Sequence, residues 1–313
     1  MHDRKFRFGV MCSHADSATD FREKARKAET LGYSTLFVPD HFIDHPLAPV
    51  PAMAAAAAVT DTFRIGSLVL GNDYKHPVVL AREAATVDLL SDGRLELGLG
   101  AGWMTDDYEK AGLDLDAPGV RIDRLEESVV VLKGLMGDGP FTFHGKHYNV
   151  TELDGHPKPV QQPHPPFIVG GGGPKILGLA AREAAIVGIN ANLRGGVAIS
   201  DDAARSMTGT ATDEKLGCLR AAAGARIDEL EIQSFVGFTN FTDDRQALAD
   251  MMASAFGVAP EEALETPVVL AGTLEQMIDD LHARRERWLM SYVVVGVDVM
   301  EQFAPAVARL AGS

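Results

Sequence analysis

The chain has 313 residues, of which 46% are hydrophobic and 23% charged, a balance that supports an ordinary globular core. The formal net charge of −15 argues against nucleic acid as a partner, because phosphate backbones are bound by basic surfaces. Two distant cysteines, Cys12 and Cys218, indicate neither a disulfide framework nor a zinc site. The longest apolar run, Ala52 to Val59, is too short to span a membrane, and the first residues lack a signal-peptide pattern. We therefore expect a cytoplasmic protein that binds neither a metal nor a membrane.

Short apolar runs alternate along the chain with segments of helical periodicity. The first such unit is a strand at Phe6–Cys12, a helix at Ala18–Leu31 that ends at Gly32, and a strand at Leu36–Val38. A β-α-β unit of this kind implies parallel strands. Further strands are predicted at Phe63–Leu70, Leu95–Leu99, Phe167–Val169, Ala185–Ile189, Leu230–Phe238 and Ser291–Gly296.

Helices are predicted between these strands and after the last of them. Their ranges are Pro51–Thr60, Pro77–Leu90, Arg121–Met136, Pro174–Arg182, Glu214–Ala223, Arg245–Phe256, Pro260–Leu264, Leu274–Arg287 and Met300–Ala311. Eight strands separated by helices, with no visible domain break, predict one α/β domain over residues 1–313, a (β/α)8 TIM barrel. Surface insertions are expected near 137–166 and 191–228. An open doubly wound sheet is the alternative.

In a (β/α)8 barrel the active site forms at the carboxyl ends of the strands, so the residues there are the candidates. After the second strand come Asp40 and His41. A histidine titrates near neutral pH, so His41 is the candidate proton donor or acceptor, with Asp40 orienting it or contacting a cofactor ring. The alternative is that His41 is a packing residue. The other strand exits contribute Leu70, Gly71, Asn72, Gly100, Ala101, Gly102, Trp103, Gly170, Gly171, Gly172 and Gly173.

The two glycine-rich exits suggest different contacts with a ligand. Gly170 to Gly173 precede a helix and expose amide N–H groups at its positive end, which suits a phosphate; a loop without a ligand is the alternative. Gly98 to Trp103 would let the backbone approach a flat ligand, or would serve packing alone. The acids in Asp106-Asp107 and Glu126-Glu127 are expected to face solvent. Without a nucleophile motif or a metal cage, the chemistry is assigned to an organic cofactor.

Several segments, in this order, resemble the bacterial luciferase-like flavin and deazaflavin oxidoreductases over nearly the whole chain. They include Val38-Pro-Asp-His41, Leu90-Ser-Asp-Gly-Arg-Leu-Glu-Leu-Gly-Leu-Gly-Ala-Gly-Trp103, Gly170 to Gly173, and Gly272-Thr-Leu-Glu275. Leu47-Ala-Pro-Val-Pro-Ala52 and Asn72-Asp-Tyr-Lys-His-Pro77 are similar to an actinobacterial subgroup assigned to coenzyme F420.

The resemblance implies a (β/α)8 barrel, commonly a homodimer, with the cofactor phosphate at the glycine loop Gly170 to Gly173. It implies that Ser67 to Asn72 backs the deazaflavin ring, often through a bulge with a non-prolyl cis peptide, and that His41 lies beside the reacting ring carbon. The expected activity is hydride transfer between C5 of F420 and an unknown small organic substrate. Related F420-dependent sugar-phosphate dehydrogenases have an acid where this chain has Trp103, which argues against sugar oxidation.

Three alternatives stay open at this point. One is an FMN-dependent monooxygenase that works with reduced flavin and oxygen on the same barrel. Another is a non-catalytic flavin-binding relative, although such relatives often lose barrel segments. A cofactor-free barrel of the aldolase type would need a lysine on an inner strand, and none of the predicted strands contains one.

Overall fold

The structure is a computed structural model that describes residues 4–43, 47–193, 195–197 and 200–313. Its strands are β1 (Arg7–Met11), β2 (Thr35–Val38), β3 (Arg64–Ser67), β4 (Leu70–Gly71), β5 (Leu95–Gly100), β6 (Phe141–His144), β7 (Asn149–Leu153), β8 (Phe167–Gly171), β9 (Ile186–Ile189), β10 (Glu231–Val236), β11 (Phe238–Phe241), β12 (Val269–Gly272) and β13 (Met290–Gly296). Its helices are α1 (Ala18–Thr30), α2 (Pro49–Ala57), α3 (Pro77–Leu90), α4 (Thr105–Ala111), α5 (Pro118–Met136), α6 (Pro174–Glu183), α7 (Asp201–Arg205), α8 (Gly209–Ala223), α9 (Arg245–Phe256), α10 (Pro260–Leu264), α11 (Leu274–Trp288) and α12 (Met300–Leu310).

The hydrogen-bonding order of the main sheet is β3-β2-β1-β13-β10-β9-β8-β5-β4, and β3 also pairs with β5. Among the described residues this order contains eight long strands, and it returns from β5 to β3 where it began. That is the strand order of a (β/α)8 barrel, so the predicted fold class is confirmed. Each of the eight predicted strands occupies one of these places.

Contacts divide the chain into two compact units. The central unit comprises Cys12–Glu29 and Thr35–Val169, and the terminal unit comprises the described parts of Met1–Met11, Thr30–Ser34 and Gly170–Ser313. In the central unit β2, β3, β5 and β8 pair in parallel, and β4 pairs with β5. In the terminal unit β1, β13, β10 and β9 pair in parallel.

The apolar runs become strands because parallel strands covered on both faces need continuous rather than alternating hydrophobicity. All residues of β2, β5 and β9 are buried, as this rule requires. Helix starts follow local chemistry: α3 begins at Pro77 after the N-cap His76, and α11 begins with a capping box of Thr273 and Gln276.

The structure shows in detail how one predicted strand and the two predicted insertions are built. The predicted strand Phe63–Leu70 is divided into β3 and β4, with a non-prolyl cis peptide between Leu68 and Val69, as the resemblance implied. The insertion near 137–166 contains the antiparallel hairpin β6–β7. The insertion near 191–228 contains α7 and α8, while positions 194, 198 and 199 lie outside the described residues.

A second small sheet of β11 and β12 is also parallel and was not predicted. It packs with α9 and α10 around a separate apolar cluster in the terminal unit. The buried members of this cluster are Leu248, Met252, Ala253, Ala263, Val269 and Ala271. In the described part of the chain, no helix combines the length and hydropathy needed to cross a membrane.

Candidate active site

His41 follows β2 in the central unit and contacts a carboxylate that the sequence pattern had assigned to solvent. Its Nδ1 lies 2.6 Å from Oδ2 of Asp107, on α4. Asp107 is completely buried, so the expectation that it faces solvent is wrong. The charge of Asp107 is tolerated there because the carboxylate is surrounded by hydrogen-bond donors.

Three further donors hold this carboxylate. The backbone N–H groups of Phe42 and Ile43 donate to Asp107 Oδ1 at 2.9 and 3.2 Å, and the Tyr74 hydroxyl lies 3.3 Å from Oδ2. Burial, followed by the negative charge of Asp107, raises the pKa of Tyr74. Tyr74 is therefore a neutral phenol near neutral pH and acts as a donor to Asp107.

Asp40 forms a hydrogen bond with the backbone of β4. Its Oδ2 accepts a hydrogen bond from the backbone N–H of Gly71 at 3.0 Å, which ties the exit of β2 to β4. Burial raises the pKa of Asp40, against the opposing effect of the Gly71 N–H. Of the two roles expected for Asp40, contact with His41 Nδ1 is made by Asp107 instead, and contact with a cofactor ring stays a prediction.

The predicted residues Leu70, Gly71 and Asn72 form and follow β4. Asn72 is 2% exposed, and its Nδ2 donates to the Tyr148 hydroxyl at 3.2 Å. Its Oδ1 is buried and has no hydrogen-bond partner among the described residues. A buried acceptor without a donor is costly unless a bound group or water supplies one, so this atom is suited to meet a donor on a ligand.

The glycines of β5 are required by packing. A Cβ added at Gly98 would overlap the carbonyl oxygen of Ser67, and one at Gly100 would lie 2.6 Å from Cγ2 of Val69. Both glycines therefore admit the segment that carries the cis peptide. Packing against this segment therefore explains why Gly98 and Gly100 are glycines. Contact between Gly100 and a ligand stays a prediction.

The exit of β5 is held by a buried arginine. Arg121, in the first turn of α5, donates through Nη1 to the carbonyl oxygens of Ala101 and Gly102. Gly102 has a φ of +75°, and a Cβ there would overlap the Tyr108 hydroxyl. The loop so fixed places the Trp103 ring edge-on to His41, with 5.3 Å between ring centroids.

A second charged group lies beside Tyr74 and was not predicted. Asp73 accepts from the Tyr108 hydroxyl at 3.0 Å and from Arg124 Nη1 at 2.8 Å, and Arg124 also pairs with Asp116. The Tyr74 and Tyr108 rings are 5.5 Å apart. The sequence signal that could have revealed this cluster is the pair Arg121 and Arg124, which lie one turn apart on α5. A buried helix face does not normally carry two arginines.

The glycine loop Gly170 to Gly173 belongs to the terminal unit; its first two residues end β8, and its last two precede α6. A Cβ at Gly172 would overlap the carbonyl oxygens of Asn190 and Ala191, whereas Gly173 has nothing within 4 Å of its Cβ position. Gly173 is also the N-cap of α6, and Pro174 follows it. The backbone N–H groups at this helix start could meet an anion, and phosphate binding by the glycine loop stays a prediction.

Behind this loop the terminal unit buries a lysine. Lys215 Nζ donates to the carbonyl oxygens of Asn190, at 2.8 Å, and Ser206. Burial lowers the pKa of Lys215 to about 8. Lys215, on α8, thus hydrogen-bonds to the residue that follows β9 and to the residue that follows α7, and both acceptors are uncharged carbonyl groups.

Within the described ranges no group of three or more His, Cys, Asp or Glu side chains could hold a metal ion. The central unit brings together Asp40, His41, the β4 residues and Gly100 to Trp103 through the contacts above. The arrangement around His41 can move a proton, but it contains no group that transfers a hydride or an electron pair by itself.

The family model for luciferase-like monooxygenases matches residues 5–292, and the chain belongs to this family. The chain is 31% identical over 170 residues to the F420-dependent glucose-6-phosphate dehydrogenase of Amycolatopsis mediterranei (strain U-32), covering 52% of this chain and 50% of the relative. It is 25% identical over 258 residues to the FMNH(2)-dependent dimethylsulfone monooxygenase of Pseudomonas putida, covering 79% and 67%.

The solved coenzyme F420-dependent tetrahydromethanopterin reductase of Methanopyrus kandleri superposes with a TM-score of 0.75 at 20% identity, covering 98% of this chain and 99% of the reductase. This likeness shows the shared fold. Alignments to these two curated relatives span 50% and 67% of their lengths. The named relatives are oxidoreductases that use F420 or a reduced flavin, which supports an enzyme with a flavin-type cofactor here.

Proposed function

We propose that this protein is an F420-dependent oxidoreductase that transfers a hydride between C5 of the deazaflavin and a small organic substrate. The observation that carries the proposal is the proton-transfer group at the β2 exit, His41 held through Nδ1 by the buried Asp107. The 31% identity to an F420-dependent dehydrogenase supports the choice of cofactor.

Residues of the central unit fit such a cofactor. Asn72 lies in the segment proposed to back the ring, and its buried Oδ1 has no donor among the described residues. Asp40, Leu70, Gly71, Gly100, Ala101, Gly102 and Trp103 complete the proposed ring-binding set. When bound, F420 supplies a hydride donor or acceptor at C5, while the protein supplies the accompanying proton.

His41 would supply or remove that proton. A hydride that leaves or joins a carbon bearing oxygen requires a matching proton transfer at the oxygen. Trp103 stands where related sugar-phosphate dehydrogenases carry an acid, so we propose a small organic substrate other than a sugar phosphate. The Trp103 ring beside His41 favours a substrate with an apolar part.

The decisive experiment is a fluorescence titration of the purified protein with F420, in parallel with FMN. We expect saturable binding of F420 and weaker binding of FMN. Bound F420 should then be reduced or reoxidised when a panel of alcohols and carbonyl compounds is added. Failure of F420 to bind would reject the proposal.

A second candidate is an FMN-dependent monooxygenase. It is favoured by one observation, the alignment to the dimethylsulfone monooxygenase, which covers 79% of this chain against 52% for the F420-dependent relative. A protein that binds reduced FMN tightly and consumes oxygen with a flavin reductase would establish it. A non-catalytic flavin-binding protein would bind a cofactor but show no turnover with any substrate.

We also propose that the protein forms a homodimer. Helix α3 exposes Val79, Leu89 and Leu90 with 48%, 47% and 64% of their surface accessible. Leu89 and Leu90 are neighbours at the end of this helix, and a contiguous apolar patch there would mark an interaction surface. Light scattering after size exclusion should give twice the chain mass of 33.5 kDa, and a monomer would reject this proposal.

A further inference from the structure

We propose that Asp107 is a positioning residue that sets the tautomer of His41, and that Phe42, Ile43 and Tyr74 lock Asp107 in this role. The inference rests on the proposed proton-transfer function of His41. It assigns a role to a residue 66 positions away from the histidine, on the short helix α4.

The two oxygens of Asp107 have different partners. Oδ1 accepts from the backbone N–H groups of Phe42 and Ile43, which can only donate. Oδ2 faces His41 Nδ1 at 2.6 Å and the Tyr74 hydroxyl at 3.3 Å. These contacts fix the rotation of the carboxylate and leave Oδ2 toward the imidazole.

An ionised carboxylate only accepts hydrogen bonds, so Nδ1 of His41 must carry the hydrogen in this contact. In the neutral ring Nε2 then has the lone pair and accepts a proton from the substrate. After accepting it, the same atom returns the proton in the reverse direction. Asp107 thus decides which ring nitrogen performs the chemistry, without touching the substrate itself.

Other charged and titratable groups face this pair. Asp40 and Tyr108 both act electrostatically on Tyr74, and Lys75 acts on Asp40. Lys75 is paired with Glu83. None of these groups replaces the direct contact between Asp107 and Nδ1, which is the contact that selects the tautomer.

The substitution Asp107→Asn has a directional consequence. The two backbone N–H donors require an oxygen at the Oδ1 position, so the new amide group must place its NH₂ toward His41. An NH₂ donates to Nδ1, which forces the hydrogen of the neutral ring onto Nε2. The side chain keeps its size, but the ring nitrogen that faces the substrate can no longer accept a proton.

The test is nitrogen-15 NMR of histidine side chains in the cofactor-free protein, with His41 assigned by loss of its signal in His41→Gln. Wild type should show the Nδ1–H tautomer at His41, and Asp107→Asn should show Nε2–H. Turnover of Asp107→Asn should fall by about 100-fold or more, with F420 affinity unchanged. Tyr74→Phe should keep the wild-type tautomer and lose less than about tenfold in turnover.

Asp106→Asn is the matched control, because Asp106 lies next to Asp107 on α4 but is exposed and pairs with Lys110. It should change neither tautomer nor turnover. An Nε2–H tautomer at His41 in wild type would overturn the inference even if Asp107→Asn fails to fold, and so would an unchanged tautomer in Asp107→Asn. If F420 fails to bind while the tautomers behave as expected, the proposed function falls and the positioning role stands.

Discussion

The exits of β2 and β8 differ in the atoms that form them, which are side-chain atoms at β2 and backbone atoms at β8. The exit of β2 depends on side chains: His41, Asp107 and Tyr74 are joined by hydrogen bonds to one buried carboxylate. The exit of β8 depends on backbone: Gly172 has no space for a side chain beside the carbonyl oxygens of Asn190 and Ala191. The first arrangement suits proton transfer and the second suits close approach of an anion.

The difference determines how each exit should respond to substitution. A side-chain network loses its chemistry when one atom is removed, while its shape is kept by the remaining residues. A backbone loop loses its shape when one atom is added. Kinetic measurements should therefore be the sensitive test at the β2 exit, and stability measurements at the β8 exit.

The largest effect is expected for His41→Ala. Loss of the proton-transfer group should lower turnover by about 10²- to 10⁴-fold, with F420 affinity little changed. Steady-state kinetics and fluorescence titration measure the two quantities. His144→Ala, in the hairpin strand β6, is the control and should leave turnover as in wild type. Unchanged turnover in His41→Ala would remove His41 from catalysis.

The next effect concerns Lys215, the buried cation of the terminal unit. Burial lowers its pKa from the ordinary 10.5 to about 8, so between these values the unfolded chain holds a proton that the folded protein has lost. The free energy of unfolding of wild type should therefore rise with pH across this range, by up to about 3 kcal/mol relative to Lys215→Met.

Chemical denaturation of both proteins at several pH values between 8 and 10.5 measures this difference. Wild type and Lys215→Met should diverge as the pH rises. Parallel stability curves would mean that the Lys215 ammonium is not desolvated by its surroundings.

The smallest effects are expected in the glycine loop, where two neighbouring positions form a matched pair. Gly172→Ala should lower the free energy of unfolding by about 1–3 kcal/mol, because its Cβ would overlap backbone oxygens. Gly173→Ala has open space, and as an N-cap substitution it should lower the free energy of unfolding by only about 0.5–1 kcal/mol.

Gly173→Ala should nevertheless weaken F420 binding, because its methyl group would occupy space proposed for the phosphate. The fluorescence titration measures this against wild type. An affinity equal to that of wild type would place the phosphate elsewhere and would leave the loop with a packing role only.

The amino-acid sequence by itself determined the fold class and the positions of the strand exits. Buried parallel strands require continuous apolar runs, and such runs were visible at Leu36–Val38 and Leu95–Leu99. Asp40, His41 and the glycines could be found because each lies at, or shortly after, the carboxyl end of a strand. The resemblance to luciferase-like oxidoreductases used the same local segments, and the family match confirmed it.

Tertiary structure alone decided which acid serves His41. Asp107 lies in a seven-residue helix, too short for a clear periodic pattern, and its sequence neighbours are polar. Local hydrophobicity therefore placed it in solvent, whereas folding buries it completely 66 residues from its partner. A charge is buried only when donors meet it, and here those donors come from the β2 exit and Tyr74, which sequence spacing does not relate to Asp107.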